Sequence, residues 1–326
     1  MSLGTRPRSV RNISALAKVL LATGALVAAM SILTVGSSAA ATPSCFGAAA
    51  RDPKRPCFNP TRTVSPKLAD LDRQPNSPCA PTNQKPEPVC TFGTPAAKAK
   101  GHIALIGDSH AVHWRAALDV VTRTKRWQGH SITAPGCFFS AAVDAMYEGA
   151  REPCKSWYRS ALAWFADHPE VSTVFVSQNA DTPIVVGAGE TSLDVKIAGF
   201  RRAWQTLPKT VKHVIVLRDT PVSSQATFDC VRRVIRAGKQ RPGPVCALSR
   251  SVAMKKDAAV SAVLRLRSKR YQYIDLTRFF CGPRSCYPVI GGAMVNRDIF
   301  GHITLAYSRT LGPYVFRKVR WLMAAW

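Results

Sequence analysis

The stretch Ile103-Ala104-Leu105-Ile106-Gly107-Asp108-Ser109-His110 decides how the chain is read. A four-residue apolar run stops at Gly-Asp-Ser-His. Residues 111–124 then follow a helical spacing, with Val112, Ala116, Leu118 and Val121 on the inward face. This predicts a buried strand that turns sharply into a helix with a serine at the corner. Glycine permits the turn, and the helix N-terminus behind the serine favours developing negative charge. Such a corner can present a nucleophile, so Ser109 is the first candidate catalytic residue.

Outward from that corner, strand and helix patterns alternate. Strands are predicted at 131–134, 173–177, 211–217 and 271–276, and helices at 155–167, 193–207, 249–268 and from 303 onward. A strand–helix unit repeated five times predicts an α/β fold with a five-stranded, mostly parallel sheet covered by helices on both faces. In such sheets the site lies at the C-terminal strand ends. Ser109, Gly136 and Asn179 each follow a strand and are therefore expected on one rim.

The N-terminus differs from all of this. Arg6, Arg8, Arg11 and Lys18 precede an uncharged apolar run over 19–36, and the small residues Ser37-Ser38-Ala39-Ala40-Ala41 follow. This is the layout of a secretory signal cut after Ala41, or of a single membrane anchor. Both readings put residues from 42 onward outside the cytoplasm. Ten cysteines, an even number, fit an oxidising compartment. Nearest-neighbour pairing predicts Cys45–Cys57, Cys79–Cys90, Cys137–Cys154, Cys230–Cys246 and Cys281–Cys286, with the Cys230/Cys246 pair in a loop. No Cys-x-x-Cys occurs and no cysteine pair has a histidine at ligand spacing, so no metal site and no cofactor is expected.

Residues 42–100 hold eleven of the 23 prolines and four of the ten cysteines, without hydrophobic periodicity. They read as a disulfide-stapled lead-in, a spacer or a collar on the domain that follows. The expected organisation is therefore a signal or anchor over 1–41, the lead-in over 42–100 and a catalytic domain over 101–326. The net charge is +26, of which four charges precede residue 42. It favours anionic partners at a cell envelope. No zinc-finger spacing, basic heptad region or aromatic stacking signature accompanies it, so nucleic acid is not an expected partner.

A serine nucleophile needs a base, a group that orients the base, and oxyanion donors. Among seven histidines, His302 stands just ahead of the terminal helix in Asn296-Arg297-Asp298-Ile299-Phe300-Gly301-His302. Asp298 is the only carboxylate side chain after Asp275. Asp108 and His110 are further candidate pocket residues.

With these residues in place, Gly107-Asp108-Ser109-His110 resembles the first block of the SGNH/GDSL hydrolases. Gly136 resembles the second-block glycine, Asn179 the third-block asparagine, and Asp298 with His302 the last block, whose usual form is Asp-x-x-His. The resemblance covers residues 101–326 and implies a flavodoxin-like, three-layer SGNH fold. It also implies Ser109 as nucleophile, His302 as base and Asp298 as its orienting acid, with the Ser109 and Gly136 N–H groups and the Asn179 side chain as oxyanion donors. Here Asp298 and His302 are four apart, one more than usual, and a loop must absorb the extra residue.

A narrower resemblance rests on the Cys-rich lead-in, on Asp108-Ser109-His110-Ala111 followed by His113-Trp114, and on Asp275-Leu276-Thr277 before Cys281 and Cys286. These are similar to the SGNH domain fused to acyltransferase-3 membrane proteins, which O-acylate envelope glycans. The resemblance implies an extracytoplasmic serine esterase or O-acyltransferase working through an acyl-serine, as in polysaccharide O-acetylation. Its implied partners are an acylated envelope glycan or acyl donor and an acyltransferase-3 membrane protein, this chain being the extracytoplasmic half encoded alone. The alternative is a catalytically weak or inactive module that binds anionic envelope glycan or the membrane acyltransferase.

Overall fold

The computed structural model describes residues 45–55, 57–59, 63–85, 89–238 and 241–324. The signal or anchor expected over 1–41 lies outside them. Among the described residues, no helix is long and apolar enough to cross a membrane.

The strands are β1 (Ala80–Pro81), β2 (Val89–Gly93), β3 (His102–Gly107), β4 (Gln128–Thr133), β5 (Val171–Ser177), β6 (His213–Leu217), β7 (Leu248–Ser249), β8 (Tyr271–Ile274), β9 (Ser285–Cys286), β10 (Val289–Ile290) and β11 (Ala293–Met294). The helices are α1 (Ser109–Lys125), α2 (Glu148–Asp167), α3 (Ser192–Gln205), α4 (Gln225–Ala237), α5 (Pro242–Val245), α6 (Arg250–Ala253), α7 (Ala258–Leu266), α8 (Thr277–Phe280) and α9 (Leu305–Ala324).

The central sheet runs β1-β2-β4-β3-β5-β6-β8. The pairs from β4 through β8 are all parallel. Their apolar runs are buried on both faces, as a parallel sheet between helix layers requires. Ala104 and Ile106 of β3, with Val174 and Val176 of β5, pack into a core with Trp157, Phe165, Phe200 and Val260 of α2, α3 and α7. Ile103, Leu105 and Phe175 point the other way, towards Trp114 and Leu118 of α1 and Leu311 and Val315 of α9. Trp114 is therefore a core residue, whereas Val112 is only half buried.

The α/β class is as expected, but the sheet has seven strands rather than five. The two additional strands come from the lead-in. β2 runs antiparallel to β4 and is buried at Val89 and Phe92, while Cys79–Cys90 staples it to β1. The lead-in also docks on α9: Ala48 is buried and its N–H donates to Thr310 at 3.0 Å. The described residues of the lead-in thus pair with the sheet through β2, covering an edge of β4 that would otherwise be unpaired.

The long helix expected over 249–268 is broken. α6 ends at Ala253, and α7 restarts behind Asp257, whose carboxylate accepts from the Ala259 and Val260 N–H groups. A capping aspartate in mid-pattern starts a new helix. All ten cysteines pair as expected. Cys230, however, lies within α4 rather than in a loop.

Because β2 completes the sheet, a chain beginning at residue 101 should lose at least about 10 °C in Tm or fail to unfold cooperatively, the effect of a few kcal/mol in a domain this size. Calorimetry of the truncated chain against residues 42–326 checks this. Equal Tm values would return the lead-in to the status of a spacer.

Candidate active site

The site begins where β3 ends. Gly107 has φ +143°, and a Cβ there would collide with the Ser177 carbonyl at the end of β5. Only glycine lets the two strand ends approach this closely. Asp108 then caps α1. One carboxylate oxygen accepts from the His110 N–H at 2.8 Å and the other from the Asn179 N–H at 2.9 Å. Burial pushes its carboxyl above the usual range, against the opposing pull of His110 and these two N–H donors. Asp108 thus ties the Ser109 corner to the loop after β5.

Ser109 is the first residue of α1 and half buried. His302 Nε2 lies 2.7 Å from its Oγ, and His302 Nδ1 lies 2.7 Å from Asp298 Oδ2. The additional residue between Asp298 and His302 does not separate them. Gly301 takes φ +98°, a conformation glycine adopts without strain. The loop closes on the Asp298 carboxylate, which accepts from the N–H groups of Phe300 and His302 at 3.0 and 3.3 Å. Arg297 N–H donates to the His302 carbonyl at 2.8 Å, and Thr220 Oγ1 donates to the Gly301 carbonyl at 2.8 Å. Burial would raise Asp298, but the His302 ring and backbone, with Arg297, hold its carboxyl below the ordinary value. A hydroxyl, an imidazole and a carboxylate hydrogen-bonded in this order can pass a proton from serine to histidine.

Gly136 and Asn179 lie in the loops that follow β4 and β5, the two strands flanking β3. Ala134 N–H donates to the Gly107 carbonyl at 3.1 Å, which holds the Gly136 loop to the end of β3. Gly136 itself is exposed, and the space beside its Cα is open. Asn179 Oδ1 accepts from the Asp181 N–H at 2.8 Å, and among the described residues its Nδ2 has no partner. All the expected site residues thus gather at one rim.

Three residues of this rim were not among the expected ones. Asp219, just after β6, accepts from His110 Nδ1 at 2.6 Å, from its neighbour Thr220 N–H at 2.8 Å and from Ala180 N–H at 2.7 Å. Its own N–H donates to Asp257 at 3.0 Å. Burial pushes the Asp257 carboxyl up. His110 is fully buried, its ring edge-on to His302 at 4.8 Å between centroids. Burial alone would lower His110, but Asp219 outweighs it and holds the imidazole up at about 9. His113, behind both rings, accepts from the Ile303 N–H at 3.4 Å and is kept neutral by burial and by His110. The position of Asp219 directly after a strand is the available signal; Asp257 lies inside a continuous helical spacing that hides its role as the cap of α7.

Among the described residues, one trio could hold a metal ion: His102, His130 and Glu170, with ligand atoms within 4.8 Å of one another. No motif or spacing marks these three residues in the sequence. His102 Nδ1 and His130 Nε2 already hydrogen-bond at 3.2 Å. The trio starts at the N-terminal ends of β3 and β5, the opposite edge of the sheet from Ser109.

The family model for the SGNH domain (fused to AT3 domains) matches residues 76–317. The chain belongs to this family. Among solved structures, it resembles the periplasmic domain of a lipopolysaccharide acetyltransferase from Salmonella ser. Paratyphi A. The TM-score is 0.54 at 15% identity, over 68% of this chain and 85% of that one. At that identity the likeness speaks for the fold alone. Comparison with curated proteins finds no match.

His110 titrates near 9 in the folded chain against 6.5 unfolded. A raised base stabilises fully below the unfolded value and loses that contribution as pH rises through the folded one. Between pH 7 and 9.5 the protein should lose about 2 kcal/mol of stability from this group. His113 and His130, both lowered, no longer change in that window. Urea denaturation at the two pH values checks it, with His110→Gln expected to flatten the difference.

Proposed function

We propose that this SGNH-family protein is an extracytoplasmic serine enzyme acting on acyl esters of cell-envelope polysaccharide. The observation that carries the reading is the unbroken line Ser109 Oγ–His302 Nε2–Asp298, with its 2.7 Å contacts. In the first half-reaction, Ser109 Oγ attacks the ester carbonyl and its proton passes to His302 Nε2. Asp298 holds the resulting imidazolium. The oxyanion is received by the Ser109 and Gly136 N–H groups and Asn179 Nδ2. His302 returns the proton to the departing alcohol, leaving an acyl-Ser109. In the second half-reaction, water or a sugar hydroxyl attacks that ester, its proton is again taken by His302, and His302 returns it to Ser109 Oγ as the acyl group leaves on the new oxygen.

Five disulfides support an oxidising, extracytoplasmic location. Family membership supports an acyltransferase-3 membrane protein as partner and acyl donor. A purely binding role for an inactive module would be favoured if the longer Asp298–His302 spacing parted the two side chains. Because Gly301 absorbs the extra residue, only the charge of +26 still favours it.

Ser109→Ala should reduce release of p-nitrophenol from p-nitrophenyl acetate to the uncatalysed rate. Wild-type activity in that variant would remove Ser109 as nucleophile. Asn179→Ala should lower kcat by about 10²–10³, the effect of deleting one oxyanion donor. A kcat within twofold of wild type in steady-state assays would remove Asn179 from that role.

A further inference from the structure

A cavity of about 650 Å³ opens beside the end of β8, lined by Arg51, Arg250, Arg278 and Lys318. Among the described residues, none of these four forms an ion pair. The one acid in the cavity, Asp275, is already committed. It accepts from Arg218 at 3.0 Å and from the Thr277 N–H at 2.8 Å. Four cations therefore face one cavity without a counter-charge.

Two of them are held in place. Arg51 donates to the carbonyls of Arg278 and Cys281 at 2.8 and 2.7 Å, and Arg250 to the carbonyl of Gly282 at 3.0 Å. The Cys281–Cys286 disulfide closes the loop that supplies two of these carbonyls. Guanidinium groups fixed in advance lose little freedom on binding, and their planar forks suit phosphate and carboxylate oxygens.

The cavity also stands on the reactive edge of the sheet. Asp275 and Thr277 follow the C-terminal end of β8 as Ser109 follows that of β3, and β5 and β6 lie between. Three strand spacings separate them by about 14 Å. A second basic cavity, with Lys209, Lys212 and Lys269, lies before β6 and β8 on the opposite edge. Its position offers no route to Ser109.

We propose that the Arg51/Arg250/Arg278/Lys318 cavity binds the phosphate or carboxylate groups of an anionic polysaccharide strand and lays that strand along the rim towards Ser109. Anion binding follows from the cavity alone; only the strand's role as substrate rests on the proposed function.

The test uses residues 42–326 carrying Ser109→Ala, so that no turnover intervenes. Binding of two labelled probes, a poly(glycerol phosphate) chain and an oligogalacturonate, is followed by fluorescence anisotropy. Arg278 and Lys318 are exposed, and among the described residues their side chains make no ion pair, Arg278 only lying over the Phe279 ring, so R278Q/K318Q should fold normally. It should weaken at least one probe about tenfold, as loss of two charge-assisted contacts implies. The probe that is weakened identifies phosphate or carboxylate as the ligand group. K209Q/K269Q, which removes equal charge from the opposite edge, should stay within twofold. Equal weakening by both pairs would reduce the effect to net charge and overturn the proposal. So would binding to phosphatidylglycerol vesicles with no binding to either polymer. Failure of the Ser109 mechanism would leave these affinities unchanged, so the two ideas fail separately.

Discussion

The buried Asp219 carboxylate is the interaction on which the reactive rim depends. A carboxylate in the interior is tolerated only when its charge and lone pairs are met. Asp219 meets that demand with His110 on α1, Thr220 at the end of β6 and Ala180 after β5. Asp257 anchors the same backbone from α7. Asp108 repeats the device between the Ser109 corner and Asn179. Two buried aspartates, each hydrogen-bonded to His110, thus set the relative positions of three strand ends. The serine and the loops around it are oriented before any substrate arrives, the condition for stabilising a developing oxyanion.

The second constraint is the short loop that carries His302 and Asp298 together. Five residues, Asp298 to His302, fold back on the Asp298 side chain, and Gly301 supplies the one conformation that a longer spacing requires. The loop is held from outside as well. Asn296 Nδ2 donates to the Pro221 carbonyl at 3.0 Å, and Arg297 reaches Asn76 of the lead-in at 3.1 Å. The lead-in therefore does more than close a sheet edge: it braces the residue next to Asp298.

Much of this was legible in the sequence, for identifiable reasons. A parallel strand buried on both faces leaves an uninterrupted apolar run, so β3, β5 and β6 stood out. The Gly-Asp-Ser-His corner and the last acid before the terminal helix marked Ser109, His302 and Asp298. Close cysteine spacing gave the disulfide pairs. β1 and β2 were hidden because they are short, rich in proline nearby, and defined by pairing with β4 rather than by their own pattern. The break between α6 and α7 was hidden because Asp257 caps a helix inside an otherwise continuous helical spacing. Asp219 carries no motif; its role comes from where β6 delivers it, opposite a histidine 109 positions earlier.

The central claim is that Ser109 is an activated nucleophile despite the longer Asp298–His302 spacing. Peptide mass spectrometry after treatment with a fluorophosphonate probe tests it most directly. A single adduct on Ser109, approaching one per chain and lost in His302→Ala, is the expected result. An unlabelled Ser109, or labelling unaffected by His302→Ala, would contradict it.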